Sequence, residues 1–184
     1  VEPQNPFANK ELSTEERIVL RAEREANIET ERNGGIPTKN CLITLRKAYE
    51  DAGNDFKAAE TLEQQNEIYP NPGDYNLIGV YYHNSGNKDK AIDFFERALD
   101  HNPNDYWPNF NLGNTLFYKD SKRSREYLNK AYELNPSEPC INILLGRLDK
   151  REGKEAEAKE KFQIAYDRYE QKWKANSLNN SDYG

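Results

Sequence analysis

The segment from Gly73 to Pro103, GDYNLIGVYYHNSGNKDKAIDFFERALDHNP, decides the fold because its small and large residues stand at fixed offsets. It predicts one helix–turn–helix unit, with Ser85-Gly86-Asn87 as the turn between the two helices. The residues that set the offsets are Tyr75, Ile78, Gly79, Tyr82, Ala91, Phe95, Ala98 and Pro103.

The same offsets recur along the chain. Gly113 lies 34 residues after Gly79, and Gly146 lies 33 residues after Gly113. Other landmarks recur with similar spacing, namely Ala98, Ala131 and Ala165, and also Pro70, Pro103 and Pro136. Recurrence at a fixed period is typical of repeat proteins. We therefore predict four helix-pair units at 39–71, 72–105, 106–138 and 139–172.

This skeleton resembles the tetratricopeptide repeat, a 34-residue helix pair with the pattern W-x2-L-G-x2-Y…A-x3-F…P. Tyr75 takes the place of the Trp, and Ile78 takes the place of the Leu. The resemblance covers residues 39–172. It implies an all-α fold, a right-handed superhelical solenoid of antiparallel helix pairs.

Packing explains why the spacing matters. Two antiparallel helices come close only where a small side chain faces a large one. We expect Gly79 to face Phe95 and Ala98 to face Tyr82. A bulky residue at Gly113 should separate its helix pair.

An extra helix should precede the repeats. Ser13 and Glu16 have capping-box spacing, which predicts a helix over 14–32 within a capping segment at 13–35. Its inward face should contain Ile18, Val19, Ala22, Ala26 and Ile28. A degenerate repeat and a recognition helix are the alternatives for this segment.

Pattern and turn residues also set the remaining boundaries. Residues 1–12 contain two prolines and little periodicity, so we expect an extended lead or linker. The solenoid should occupy 36–174, and 175–184 should be a polar tail or a truncated continuation. The repeat helices are predicted at about 38–51, 55–68, 74–85, 88–101, 105–118, 122–134, 137–151 and 155–173.

Composition limits the kinds of partner. The chain is 35% hydrophobic and 32% charged, which suits a thin repeat stack better than a deep spherical core. Its net charge of -6 disfavours nucleic acid, so we expect a protein or peptide partner. No apolar run approaches the roughly 20 residues that cross a bilayer, so we expect no direct membrane insertion.

The cysteines and the first residue bear on location. Cys41 and Cys140 lie three repeats apart, so we expect no disulfide between them, and a cytoplasmic location is favoured. The chain begins with Val1 and contains no Met, which suggests an excised fragment or a processed form.

The resemblance implies that the first helix of each pair lines a concave groove. On that basis the groove-facing residues are Asn40, Ile43, Lys47 and Glu50, then Asn76, Val80, His83 and Asn84, then Trp107, Phe110, Asn114 and Phe117, and finally Ile143, Arg147, Lys150 and Arg151. Those expected to bind a partner are Asn76, His83, Trp107, Phe110, Asn114, Phe117, Arg147 and Lys150. Exposed rings would supply contact area, amides would pair with a peptide backbone, and Arg147 would hold a carboxylate. The alternative is that Trp107 and Phe110 pack between repeats as core.

The leading hypothesis is a non-catalytic adaptor or scaffold, or a co-chaperone-like module, that binds a partner peptide or helix in this groove. Some members of the family bind the terminal carboxylate of heat-shock chaperones through a basic clamp. Val80, Cys140 and Leu144 stand where that clamp needs basic residues, so we do not predict that ligand.

Sequence motifs argue against an enzyme. His83 and His101 lack metal-ligand spacing, and no phosphate-binding glycine loop is present, so we expect no catalytic residue, cofactor or metal. Two alternatives to the groove hypothesis stay open. The chain could be an assembly module that self-associates through its terminal helices, with Trp173 at one end, or a regulatory segment of a larger enzyme.

Overall fold

The computed structural model describes residues 12–180, and all regular structure within them is helical. The α-helices are α1 Thr14–Arg32, α2 Lys39–Asp51, α3 Asp55–Ile68, α4 Tyr75–Asn84, α5 Lys88–His101, α6 Tyr106–Leu116, α7 Ser121–Leu134, α8 Pro139–Arg151 and α9 Glu155–Asn180. A short 3-10 helix spans Pro72–Asp74 and joins α3 to α4. The predicted all-α class is confirmed.

The last helix differs most from its predicted bounds. The sequence predicts an end near residue 173, whereas α9 continues to Asn180. No proline or glycine occurs between Glu155 and Asn180, so nothing in the local sequence terminates the helix. The predicted lead falls on residues 1–12, of which 1–11 lie outside the described residues.

The chain divides into two compact units, one ending at Asn87 and the other beginning at Lys88. Helices adjacent in sequence pack together in each unit: α1 on α2, α2 on α3 and α3 on α4 in the first, and α5 on α6, α6 on α7, α7 on α8 and α8 on α9 in the second. This order is the one expected of helical repeats. The expected contacts of Gly79 with Phe95 and of Ala98 with Tyr82 would join the two units, so they stay predictions.

Glycines allow close helix contacts in the second unit. A Cβ atom added to Gly113 on α6 would lie 2.7 Å from Cγ of Leu128 on α7. A Cβ atom added to Gly146 on α8 would lie 2.8 Å from Cε1 of Phe162 on α9. Both distances are too short for carbon atoms in contact. The predicted pairing of a small residue with a large one is therefore present in the third and fourth repeats.

The turns inside the helix pairs follow two designs. Gly53 and Gly153 have φ angles of 67° and 77°, which side chains other than glycine rarely adopt. The turn between α6 and α7 contains no glycine. There, the backbone N–H of Asp120 donates to the carbonyl of Leu116 at 2.8 Å. The Asp120 side chain then caps α7 by accepting from the backbone N–H of Arg123 at 3.0 Å.

Helix α1 packs on α2 through a narrow face. Ala22 and Ala26 are buried, whereas Ile18 and Ile28 are 49% and 40% exposed. The prediction that these two isoleucines face inward is wrong. Ile18 lies four residues before Ala22 in the same row, so the contact with α2 covers this row only from Ala22 onward, whereas Ile28 lies on another face of α1. The predicted capping box is present, because Ser13 Oγ accepts from the backbone N–H of Glu16 at 3.1 Å.

Candidate functional site

Trp107 is the open end of an aromatic row on α6. Its side chain is 59% exposed, so it is not a core residue. Asp105 caps the helix by accepting from the backbone N–H of Trp107 at 3.0 Å. The Tyr106 ring meets Trp107 edge-on at 4.9 Å and stacks on Phe110 at 6.0 Å between ring centroids. The row therefore supports Trp107 from one side and leaves its other side open.

The sequence allowed Phe110 to be either a groove residue or a core residue, and the structure shows it half-buried. Its ring is partly buried and packs against a hydrophobic core cluster that includes Leu128, Ile141 and Leu145. Tyr106 packs against the same cluster, and burial raises its pKa to about 12. Both rings therefore anchor the row to the core of the second unit.

Phe117 is not available to a partner, which corrects the sequence prediction. Its side chain is only 3% exposed and belongs to the same core cluster. Ten residues separate Phe117 from Trp107, and at about 100° per residue they leave it about 80° around the helix from Trp107. That rotation carries the ring off the open face and over the core.

Two arginines of α8 cover the Phe117 ring. The guanidinium carbon of Arg147 lies 4.9 Å from the ring centroid, and that of Arg151 lies 5.2 Å from it. Arg151 also donates to the carbonyl oxygen of Phe117 at 2.5 Å. Phe117 therefore contributes to the surface indirectly, by fixing the positions of two cations.

Tyr118 belongs to this surface, and the sequence analysis missed it. It is 69% exposed, and its hydroxyl accepts from Arg147 Nη2 at 2.9 Å. Arg151 lies 5.6 Å from its ring centroid. Tyr118 follows the end of α6, so helical spacing does not predict its position. The sequence feature that indicates Tyr118 is an aromatic residue beside a turn that lacks glycine.

Asn114 and Lys150 are the other two residues of the second unit that the sequence predicts to bind a partner. Asn114 is half-buried on α6, and Lys150 is exposed on α8. We define the basic-aromatic surface as Trp107, Asn114, Tyr118, Arg147, Lys150 and Arg151. It combines one large open ring, a phenol, an amide and three cations.

Asn76 and His83 lie in the first unit, on α4, and both are half-buried. In the same unit, Arg46 donates to Tyr81 Oη at 2.9 Å and pairs with Glu50. The predicted groove residue Glu50 therefore already has a cationic partner. That these residues continue the basic-aromatic surface as one groove stays a prediction.

The two cysteine thiols have different surroundings. Cys41 is buried, its Sγ lies 3.8 Å from the carbonyl oxygen of Ala26, and burial raises its pKa. Cys140 Sγ lies 3.1 Å from Tyr169 Oη. Neither forms a disulfide. Within residues 12–180, no group of three or more His, Cys, Asp or Glu side chains is arranged to hold a metal ion.

One segment of the chain matches a known protein family. Residues 74–105 match the sequence model of the family described as tetratricopeptide repeat. The chain contains a tetratricopeptide repeat. The match spans the segment whose offsets decided the fold, so the resemblance inferred from the sequence is confirmed. No curated protein sequence matches the chain.

Two solved structures share the fold of this chain over most of its length. A crystal structure of MamA aligns with a TM-score of 0.70 at 19% identity, covering 90% of this chain and 99% of that one. MamA 41-end from Desulfovibrio magneticus RS-1 aligns with a TM-score of 0.67 at 16% identity, covering 84% of this chain and 96% of that one. The predicted class, a tetratricopeptide-repeat solenoid, is therefore confirmed. Among the helices of residues 12–180, none is both long and apolar enough to span a membrane.

Proposed function

We propose that this protein is a non-catalytic adaptor or scaffold that binds a partner peptide or short helix on the first-helix face of its repeats. The observation that carries the proposal is Trp107, an indole that is 59% exposed next to an ordered aromatic row. Large exposed rings at the centre of a polar rim are typical anchors of protein interfaces. Trp107 would supply contact area to the partner.

Polar groups around Trp107 would orient the partner. The amide of Asn114 can donate to and accept from a peptide backbone, and Arg147 retains N–H groups beyond the one bonded to Tyr118. In the first unit, the amide of Asn76 and the imidazole of His83 are the polar groups that α4 would offer to a partner. Partners of this kind bind as extended chains or as amphipathic helices.

The experiment is a selection of peptides from a random displayed library on the immobilised full chain. We expect reproducible enrichment that is lost in the double variant Trp107→Ala and Arg147→Ala. The control is Lys122→Gln with Lys159→Gln, two exposed lysines on second helices, which should retain enrichment. Circular dichroism would check that both variants keep their helix content.

Two results would contradict the proposal. A library that yields no enriched peptide would argue against peptide binding altogether. Equal enrichment on the folded Trp107→Ala, Arg147→Ala variant would place the binding site elsewhere.

A second candidate function is self-association through α9, and one exposed stripe favours it. Tyr166, Tyr169 and Trp173 are 64%, 45% and 68% exposed, and their spacing puts them on one face of the helix. Ala131 and Ala165 occupy the same repeat position, so Tyr166 corresponds to Tyr132. The Tyr132 ring of the third repeat is covered by Arg168 of α9, whose guanidinium carbon lies 5.6 Å from the ring centroid. Exposed stripes of this kind mark association surfaces.

Light scattering over a range of concentrations tests this candidate. Self-association predicts that the molar mass rises with concentration in the unmodified chain and in Trp107→Ser, but stays at the monomer value in Trp173→Ser. A constant monomer mass in the unmodified chain would contradict it.

A further inference from the structure

The last two turns of α8 present three cations on one side. Arg147, Lys150 and Arg151 are spaced i, i+3 and i+4, and all three are exposed. Residues with this spacing are neighbours on a helix surface. Like charges at such distances repel each other, and the negative end of the α8 dipole offsets only part of three positive charges.

Carboxylates do not neutralise this cluster within the described chain. None of the three residues forms an ion pair there, whereas Lys119, Arg123 and Arg125 of the same unit do. The nearest acidic residues in sequence are Asp149 and Glu152, and both pair with Arg125, at 2.8 Å and 2.9 Å. An excess of three positive charges therefore stands on a protein whose net charge is -6.

The two arginines are held in place before any partner arrives. Arg147 is fixed by Tyr118 Oη, and Arg151 is fixed by the carbonyl oxygen of Phe117. Both guanidinium groups stack over the Phe117 ring. Each guanidinium has five N–H donors, so most remain available. Ordered cations lose little further conformational entropy on binding, which favours a specific ligand over a diffuse counterion layer.

We propose that the basic-aromatic surface binds an acidic peptide segment through the side chains of Asp or Glu residues within the segment. This inference rests on the proposed function and names the partner class for the same surface. Guanidinium groups bind carboxylates in a two-bond arrangement, and Lys150 adds a third positive charge one turn along. A single terminal carboxylate reaches only one such position, whereas consecutive acidic side chains reach all three. Trp107 would contact an apolar side chain of the same segment.

The first test scores the charge of the peptides enriched in the library selection. We expect Asp and Glu to be over-represented and Lys and Arg to be depleted relative to the unselected library. Enrichment of neutral or basic peptides would overturn this inference and leave the proposed function standing. Absence of any enrichment would overturn both.

The second test uses one enriched peptide and asks which carboxylates matter. A synthetic copy with an amidated terminus should bind as tightly as the free acid, and a copy with every Glu and Asp replaced by Gln or Asn should bind about tenfold or more weakly. If amidation abolishes binding while the Gln and Asn copy still binds, the terminal carboxylate is the bound group and the inference is wrong.

Matched charge variants connect the effect to α8. Arg147→Gln with Lys150→Gln should weaken binding of the acidic peptide about tenfold and flatten its salt dependence. Lys122→Gln with Lys159→Gln changes the net charge by the same amount and should leave affinity unchanged. Lys150→Gln alone, which removes no described contact, should produce a smaller loss in the same direction. Equal losses in the α8 and control doubles would mean that only net charge matters, which would overturn the inference.

Discussion

The helices of the second unit and helix α1 of the first are held to their neighbours in different ways. In the second unit, Gly113 lets Leu128 approach within 2.7 Å of where a Cβ would stand. Helix α1 instead lies on α2 through two alanines, and Glu23 accepts a hydrogen bond from Tyr49 Oη at 2.6 Å. The repeat glycines thus specify close apolar packing. Helix α1 instead depends on two small side chains and on the hydrogen bond between Tyr49 and Glu23. The two regions should differ in local stability.

The largest effect should come from filling the glycine contact. We expect Gly113→Leu to lower the free energy of unfolding by about 3 kcal/mol, because the new side chain must displace Leu128 or separate α6 from α7. Denaturant unfolding followed by circular dichroism measures the change. Asn129→Leu, an exposed position on α7, is the matched control and should have little effect. If both variants are equally stable, the close approach at Gly113 does not exist.

A charge beneath α1 should detach that helix without unfolding the second unit. Ala26→Asp buries a carboxylate on the face that contacts α2, and we expect a loss of about 1–2 kcal/mol confined to the first unit. Hydrogen exchange should show faster exchange across α1 and unchanged protection in α6 to α9. Uniformly faster exchange throughout the chain would argue against α1 as a separately opening element.

Removing the hydrogen bond between Tyr49 and Glu23 should also destabilise α1, but by less. Tyr49→Phe deletes the hydrogen bond to Glu23, and we expect a loss of about 1 kcal/mol that again appears in α1 exchange rates. The double variant Tyr49→Phe, Glu23→Gln should be no less stable than Tyr49→Phe. A further loss in the double variant would mean that Glu23 stabilises α1 by another contact.

The smallest effect concerns pH at Tyr106 in the second unit. Burial raises the pKa of Tyr106 to about 12, above the ordinary value near 10, so folding favours the neutral phenol. Its contribution is complete below about pH 10 and is lost as pH rises through about 12. The Tyr106 hydroxyl has no hydrogen-bond partner in the described structure, so Tyr106→Phe should not destabilise the protein at neutral pH.

Thermal melts of both proteins across the alkaline range measure this effect. The difference in stability between Tyr106→Phe and the unmodified chain should increase above about pH 10 in favour of the variant. A difference that does not change with pH would contradict a buried, neutral Tyr106.

The fold was predictable because it depends on short-range pattern. Glycine and alanine positions with a period of 33 to 34 residues defined the helix pairs, and Gly113 and Gly146 have the predicted large neighbours. Helix α1 lies outside the repeat pattern. Its capping box was predictable from two residues, but the orientation of Ile18 and Ile28 depends on how much of α1 the next helix covers, which spacing alone does not determine.

The candidate site was predictable only in part. Helical spacing predicts both Trp107 and Phe117 at the surface. Trp107 is exposed, whereas Phe117 is buried because ten residues of rotation carry its ring over the core. Tyr118 was missed because it lies outside the helix. The stacking of Arg147 and Arg151 over Phe117 depends on contact between α6 and α8, residues about 30 apart in sequence, and no local pattern encodes it.

The most direct test of the central claim uses the indole N–H signals of the chain's two tryptophans, Trp107 and Trp173. Nuclear magnetic resonance titration of the labelled full chain with an enriched peptide would follow both signals, assigned with Trp→Phe variants. The proposal predicts that the Trp107 signal shifts and saturates while the Trp173 signal stays constant. A shift of Trp173 with no change at Trp107 would contradict partner binding at the basic-aromatic surface.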